Sequence, residues 1–285
     1  MDQKIINLFD EYTHKPLSRN DFLKRLAVLT GSMSAAMSIL PMLEVNYAKA
    51  ETISEDDEDL ITGDITYPGS GTQMKAYLAR PKTQGRLGSV VVIHENRGLN
   101  PHIRDVTRRV AKAGYVALAP DALSPFGGTP ANEEEARSMF GKLDEQNNLN
   151  NFLKAFDYLR EQPFSNGKTA CIGFCWGGAM ANQLAVHSPQ LSAAISYYGR
   201  QPKAEDVSKI KAHVQLHYGE HDERINAGIK DYENALKEAG TKYELYIYEG
   251  AQHAFNNDTA PTRYNEKAAK LAWDRTLKLL KSTIS

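Results

Sequence analysis

The sequence predicts an α/β fold, a mostly parallel central sheet with helices on both faces. Three observations carry this. Beyond residue 60, short β-rich runs alternate with segments of helical period. One run, Ser89-Val90-Val91-Val92-Ile93, is apolar and β-branched without interruption, as a strand buried on both faces requires. Turn residues such as Pro68-Gly69-Ser70-Gly71, Asn100-Pro101 and Gly114 separate the runs.

The elements follow in order. Residues 65–78 read as an antiparallel opening pair around the Pro68–Gly71 turn, and residues 89–93 as a central strand. Asn100 and Pro101 supply a helix cap and a first-turn proline. Ile103, Val106 and Val110 then recur at helical spacing until Gly114. A strand over 115–119 leads into an irregular loop over 121–130, of the kind that shapes active sites. Helical patterns over 132–143 and 150–161 carry core-facing residues. Strands are expected at 170–173, 191–198, 214–218 and 243–248, and helices at 176–187, 226–239 and 263–281.

With 285 residues and 41% hydrophobic content, the chain can bury one large core, so residues 51–285 are expected to form a single catalytic domain. Lys and Arg number 34 against 35 Asp and Glu, a net charge of -1. No global field would draw in nucleic acid or an anionic membrane, which points to a small-molecule partner. The two cysteines, Cys171 and Cys175, lie on a strand and just past its end, about 13 Å apart by strand rise. A disulfide needs Cα atoms closer than about 7 Å, so it is excluded.

Residues 1–50 form an N-terminal extension of different character. Ser18-Arg19-Asn20-Asp21-Phe22-Leu23-Lys24-Arg25 precedes an apolar, small-residue run to Leu43 and then Ala48-Lys49-Ala50. That order predicts an export signal with an A-x-A cleavage site and a periplasmic destination. It is similar to a twin-arginine signal except that Asn20 stands where the second arginine belongs. The alternative is an amphipathic arm packed on the domain or on a second subunit, in a cytoplasmic protein. A membrane span is disfavoured, because Gly31, Ser32, Ser34 and Ser38 dilute a run that barely reaches bilayer length.

The chemistry centres on Gly173-Phe174-Cys175-Trp176-Gly177-Gly178, between a predicted strand and a predicted helix. A nucleophile on so tight a turn is lifted above the sheet and needs small neighbours two residues to either side, as in G-x-S-x-G. Here cysteine replaces serine, and the helix beginning at Trp176 favours its thiolate. A base and a carboxylate should follow in that chain order, on loops after later strands. His253, in Gly250-Ala251-Gln252-His253-Ala254-Phe255, and Asp222, after the strand over 214–218, meet this requirement. His217 and His221 compete for the first role and Glu220 and Glu223 for the second. An oxyanion hole would use the N–H of Trp176 and that of Asn96, in the loop after the central strand. Glu95, at the end of an apolar strand, reads either as a solvated charge or as a functional carboxylate.

These segments, together with Val92 to Gly98, Ala119-Pro120-Asp121 and Tyr197-Tyr198-Gly199, make the chain from about residue 60 onward resemble the dienelactone hydrolase, or carboxymethylenebutenolidase, family. The resemblance implies an α/β-hydrolase fold, a Cys175-His253-Asp222 triad, and hydrolysis of a small ester or enol-lactone through a thioester acyl-enzyme. It also implies that Glu95 handles the thiol proton. Arg97, Tyr198 and Phe255 are candidates for substrate binding. Family members acting on dienelactone bind its carboxylate partly through a serine and an arginine just after the histidine. This chain has Ala254, Phe255, Asn256 and Asn257 there, which favours the broader substrate class, with Arg97, Arg200 or Arg263 as candidate substitutes. The chemistry needs no cofactor and no metal, and among His94, Glu95 and His253 no pair has the helical spacing of H-E-x-x-H. The rival reading is a non-catalytic or redox-sensing protein in which Cys175 is oxidised rather than acylated.

Overall fold

The uninterrupted apolar run at residues 89–93 becomes the centre of an eight-stranded sheet with strand order β1-β2-β4-β3-β5-β6-β7-β8. The computed structural model describes residues 1–15, 17–46, 51–83 and 85–285. The strands are β1 (Leu60–Pro68), β2 (Gln73–Pro81), β3 (Leu87–Ile93), β4 (Val116–Pro120), β5 (Ser165–Phe174), β6 (Ala193–Tyr197), β7 (His213–His221) and β8 (Tyr243–Gln252). β1, β2 and β4 pair antiparallel, and every pairing from β4 through β3 to β8 is parallel.

Alternation along β3 shows why this strand reads as continuous. Val91 and Ile93 enter one core with Phe152, Phe156 and Leu159 of α6 (Glu145–Glu161) and Met180 and Leu184 of α7 (Trp176–His187). Val90 and Val92 enter a second core with Ile103, Val106 and Val110 of α4 (Pro101–Lys112) and Leu279 and Leu280 of α10 (Glu266–Thr283). Each face is buried against helices, so neither side of the strand tolerates polarity. Three further helices complete this part of the chain: α5 (Glu133–Phe140), α8 (Glu223–Asn226) and α9 (Ile229–Glu238).

Boundaries differ from the sequence expectation where a side-chain cap sets them. α6 starts at Glu145 rather than 150, because Asp144 accepts a hydrogen bond from the Asn147 N–H. α10 starts at Glu266 rather than 263, because Asn265 caps it through the Ala268 N–H. Strand order reverses at β3, which has β4 on one side and β5 on the other. Such a switch opens a crevice at the carboxyl ends of the strands, and these ends carry the candidate residues.

Residues 1–46 form three helices, α1 (Gln3–His14), α2 (Arg19–Thr30) and α3 (Met33–Leu43), around a small apolar core of their own. Phe9 and Tyr12 meet Phe22, Leu26 and Leu43, and the Tyr12 and Phe22 rings stack at 4.4 Å. No single described helix is long and apolar enough to cross a membrane, and α2 and α3 meet at a bend of 110°. The A-x-A motif at Ala48-Lys49-Ala50 lies outside the described residues. α1 lies across the carboxyl ends of the strands. Asn96 Nδ2 donates to the Thr13 carbonyl at 2.9 Å, Arg137 donates to the Tyr12 carbonyl, and Gln3 and Gln252 exchange amide hydrogen bonds at 2.9 and 2.7 Å.

Candidate active site

Cys175 is the single residue between β5 and α7, with φ 55° and ψ -112°. Side chains rarely adopt that backbone, and it persists only where the surroundings enforce it. Here the Cys175 N–H donates to the Tyr197 carbonyl at 3.0 Å, and its carbonyl accepts from the Ala179 N–H at 3.1 Å. The glycines are needed for close approach. A Cβ on Gly173 would overlap the Gly177 carbonyl, and one on Gly177 would overlap the carbonyls of Ile93 and His94. Gly177→Ala therefore has only backbone to push against. It is expected to cost at least about 1–3 kcal/mol, read as a lower urea midpoint at unchanged m-value.

His253 follows β8 directly, and its Nδ1–H donates to Asp222 Oδ2 at 2.5 Å. Asp222 follows β7, and its other oxygen caps α8 through the Ile225 N–H at 3.4 Å. Both residues are buried. With Nδ1 committed to the carboxylate, Nε2 is the free face of the ring; it is buried, and no hydrogen-bond partner occupies it. The competitors are placed elsewhere. His217 is buried between the Tyr248 hydroxyl and Gln215, and burial lowers it to about 3, which keeps it neutral. His221 is exposed at 3.8 Å from Glu220, and Glu220 accepts from the Gly250 N–H.

The sulfur has a partner that the sequence analysis missed. His14 Nε2, at the end of α1, lies 3.1 Å from Cys175 Sγ, and the His14 and His253 rings meet edge to face at 4.8 Å. The available signal was the i, i+4 pair Asp10 and His14 on a helix that also buries Ile5, Leu8, Phe9 and Tyr12. A ring nitrogen of His14, one of His253 and the Cys175 sulfur all lie within 4.8 Å of one another.

Burial pushes the Cys175 thiol up, but the charges of His14 and then His253, with the hydrogen bond to His14, bring it down to about 6. Burial opposes charge on His253, yet Asp222, Cys175 and Asp10 hold its pKa well above the ordinary value. The thiolate is thus the form present above about pH 6, lost as pH falls. Alkylation of Cys175 by iodoacetamide should accordingly rise through that value, well before the ordinary thiol range of about 8.5.

The remaining predicted residues surround this centre. Glu95, Asn96 and Arg97 line a cavity of about 430 Å³ together with Cys175, His253 and His14. Trp176, Tyr198 and Arg200 line an adjoining cavity of about 710 Å³ that also reaches Cys175. Glu95 is held by the Tyr198 hydroxyl at 3.4 Å and by Asn257 Nδ2 at 2.9 Å. Its hydrogen bonds therefore go to those two side chains, while the sulfur's goes to His14. Arg97 lies 3.7 Å from Glu133 and donates to the Asn96 side chain at 3.1 Å. Phe255 is fully buried beneath the site, edge-on to Tyr198 and beside Tyr248. Arg263 borders the first cavity with its guanidinium over the Phe9 ring.

Comparison with known proteins gives three concordant findings. The model of the Dienelactone hydrolase family matches residues 74–284. A protein of Escherichia coli strain K12 named "Putative carboxymethylenebutenolidase" is 32% identical over 249 residues, covering 81% of this chain and 91% of its own. A crystal structure from Klebsiella pneumoniae, described as a "Putative Dienelactone Hydrolase", superposes with a TM-score of 0.70 at 30% identity, covering 78% of this chain and 98% of that one. The fold alone extends further: a Pyrococcus horikoshii acylaminoacyl peptidase aligns at TM-score 0.63 and 14% identity, over 79% of this chain and 42% of that chain.

Proposed function

Because the chain belongs to the dienelactone hydrolase family, whose members hydrolyse esters and lactones, we propose that it cleaves a small ester or enol-lactone through a thioester on Cys175, with His253 as acid and base and Asp222 orienting it. The observation that carries this reading is the convergence of three separate strand ends. Asp222 holds His253 Nδ1 at 2.5 Å, the Nε2 of His253 has no hydrogen-bond partner, and His253 and Cys175 line the same cavity.

The thiolate attacks the carbonyl carbon, and the carbonyl π pair moves to oxygen. The N–H groups of Trp176 and Asn96 stabilise that charge. Collapse expels the alkoxide, which takes the Nε2 proton of His253. Neutral His253 then takes a proton from water, whose oxygen attacks the thioester, releasing acid and regenerating thiolate. Asp222 keeps the ring in the required tautomer throughout. The 430 Å³ cavity suits a small substrate. Ala254, Phe255, Asn256 and Asn257 follow the histidine where the resemblance would call for a serine and an arginine, and Asn257 is already engaged with Glu95. A broader ester and lactone range is therefore proposed rather than dienelactone itself.

The test is mass spectrometry of enzyme quenched during turnover of p-nitrophenyl acetate, with peptide mapping. An acetyl group on Cys175 is expected. If there is neither adduct nor turnover on this ester or on small lactones, the reading is wrong, and peroxide oxidation of Cys175 becomes the chemistry to examine.

A further inference from the structure

We propose that His14 is a further catalytic residue: carried on α1, it takes and holds the Cys175 proton as counter-ion to the thiolate, leaving His253 free to face the leaving group. The inference rests on the thiol-nucleophile reading above. It begins from a difficulty in that chemistry. In a one-histidine triad the same imidazole must serve the attacking atom first and the departing oxygen next. Here two imidazoles converge on one sulfur, each backed by an aspartate.

The geometry divides the work. His14 Nδ1 donates to the Asp10 carbonyl at 2.9 Å and lies 3.0 Å from the Asp10 carboxylate. Its proton is therefore on that side, and Nε2 is the nitrogen available to the thiol at 3.1 Å. Proton transfer breaks the S–H bond, forms Nε2–H and leaves the electron pair on sulfur. His253 also favours the thiolate by its charge, but its buried Nε2 makes no hydrogen bond, which leaves it for an oxygen that the substrate would bring. Across a full turnover His14 keeps the proton it took, and His253 gives one to the alkoxide and recovers one from water, so the cycle balances.

The surroundings sustain a positive His14. Burial opposes its charge, but the Cys175 thiolate and Asp10 raise its pKa above the ordinary value. Asp10 is held well below the usual carboxylate range despite burial, by His253, His14 and Arg224. Arg224 Nε donates to Asp10 Oδ2 at 3.2 Å from α8. The other charged groups bordering this side of the cavity are Lys15, Glu134, Arg137 and Arg200, with Arg137 and Glu134 paired at 3.5 Å. The helix is held in place over the site by the Asn96, Arg137 and Gln252 hydrogen bonds. It also leaves room beneath, since Phe9, Tyr12 and His14 form one wall of the 430 Å³ cavity. On this reading residues 1–46 are part of the working enzyme.

The test compares full-length wild type with His14→Gln, which cannot accept a proton, and with His14→Ala assayed with and without added imidazole. In His14→Gln the pH midpoint for iodoacetamide alkylation of Cys175 should rise from about 6 toward the ordinary thiol value of about 8.5. The rate at pH 6 should fall about 10- to 100-fold. kcat/KM for p-nitrophenyl acetate should fall about 10- to 100-fold, and imidazole should restore part of it in His14→Ala. Should His14→Gln unfold, the imidazole rescue still decides. An unchanged alkylation midpoint and rate, with the acetyl adduct forming as in wild type, would overturn the role of His14 alone. Faster turnover would also overturn it, marking α1 as a plug. Loss of the adduct in wild type, by contrast, would indict the nucleophile itself. The mass of the protein from its own cell should include residues 1–46; a mature chain starting after Ala50 would overturn the proposal.

Discussion

Cys175→Ala is expected to lower kcat/KM for p-nitrophenyl acetate by about four to six orders of magnitude and to leave no acetyl adduct, because it removes the atom to which the acyl group bonds. The effect should be on the chemical step with little change in stability. Cys175 is buried at 8% exposure, but its sulfur borders two cavities rather than filling a packed core. Urea unfolding of the variant beside a stopped-flow assay makes the separation. Retention of more than about a thousandth of wild-type activity would show that another group carries the reaction. Cys171 would not be that group: it is fully buried in the core, and burial raises its thiol to about 12.

The second large effect is expected from His253→Gln. Deacylation requires a base that removes a proton from water, and glutamine cannot act as one, so turnover should fall by about three to four orders of magnitude. Acylation should suffer less, because His14 remains 3.1 Å from the sulfur. The variant should therefore release a burst of p-nitrophenol and accumulate the acetyl-Cys175 form, visible as one acetyl mass on the intact protein. A variant that neither acylates nor turns over would mean that His253 is needed to make the thiolate as well, contrary to the division of roles between the two histidines.

The parts of this protein legible in its sequence are those set by local backbone requirements. The apolar run at residues 89–93 can be satisfied only by a strand covered on both faces, and β3 is so covered. The pattern Gly173-Phe174-Cys175-Trp176-Gly177 is dictated by the contacts of a sharp strand-to-helix turn, and Cys175 has the strained backbone that such a turn imposes. The order of Cys175, Asp222 and His253 follows from the order of strands in this fold, which is why His253 could be preferred to His217 before any distance was known.

What only the tertiary structure decided involves contacts between residues far apart in the chain. Nothing local fixes which side chains hold Glu95, and the fold supplies Tyr198 and Asn257. The packing partners of residues 1–46 are a second case. A basic, then apolar, small-residue segment satisfies the pattern of an export signal and the pattern of packed amphipathic helices equally, because both require one greasy stretch beside a polar one. His14 and Cys175 are 161 residues apart, and their meeting depends on where α1 docks. That docking is set by the hydrogen bonds of Asn96, Arg137 and Gln252 to the helix and by the apolar core that α1 shares with α2 and α3. Periodicity can announce that a helix has a face to bury; the surface it is buried against is a property of the assembled fold.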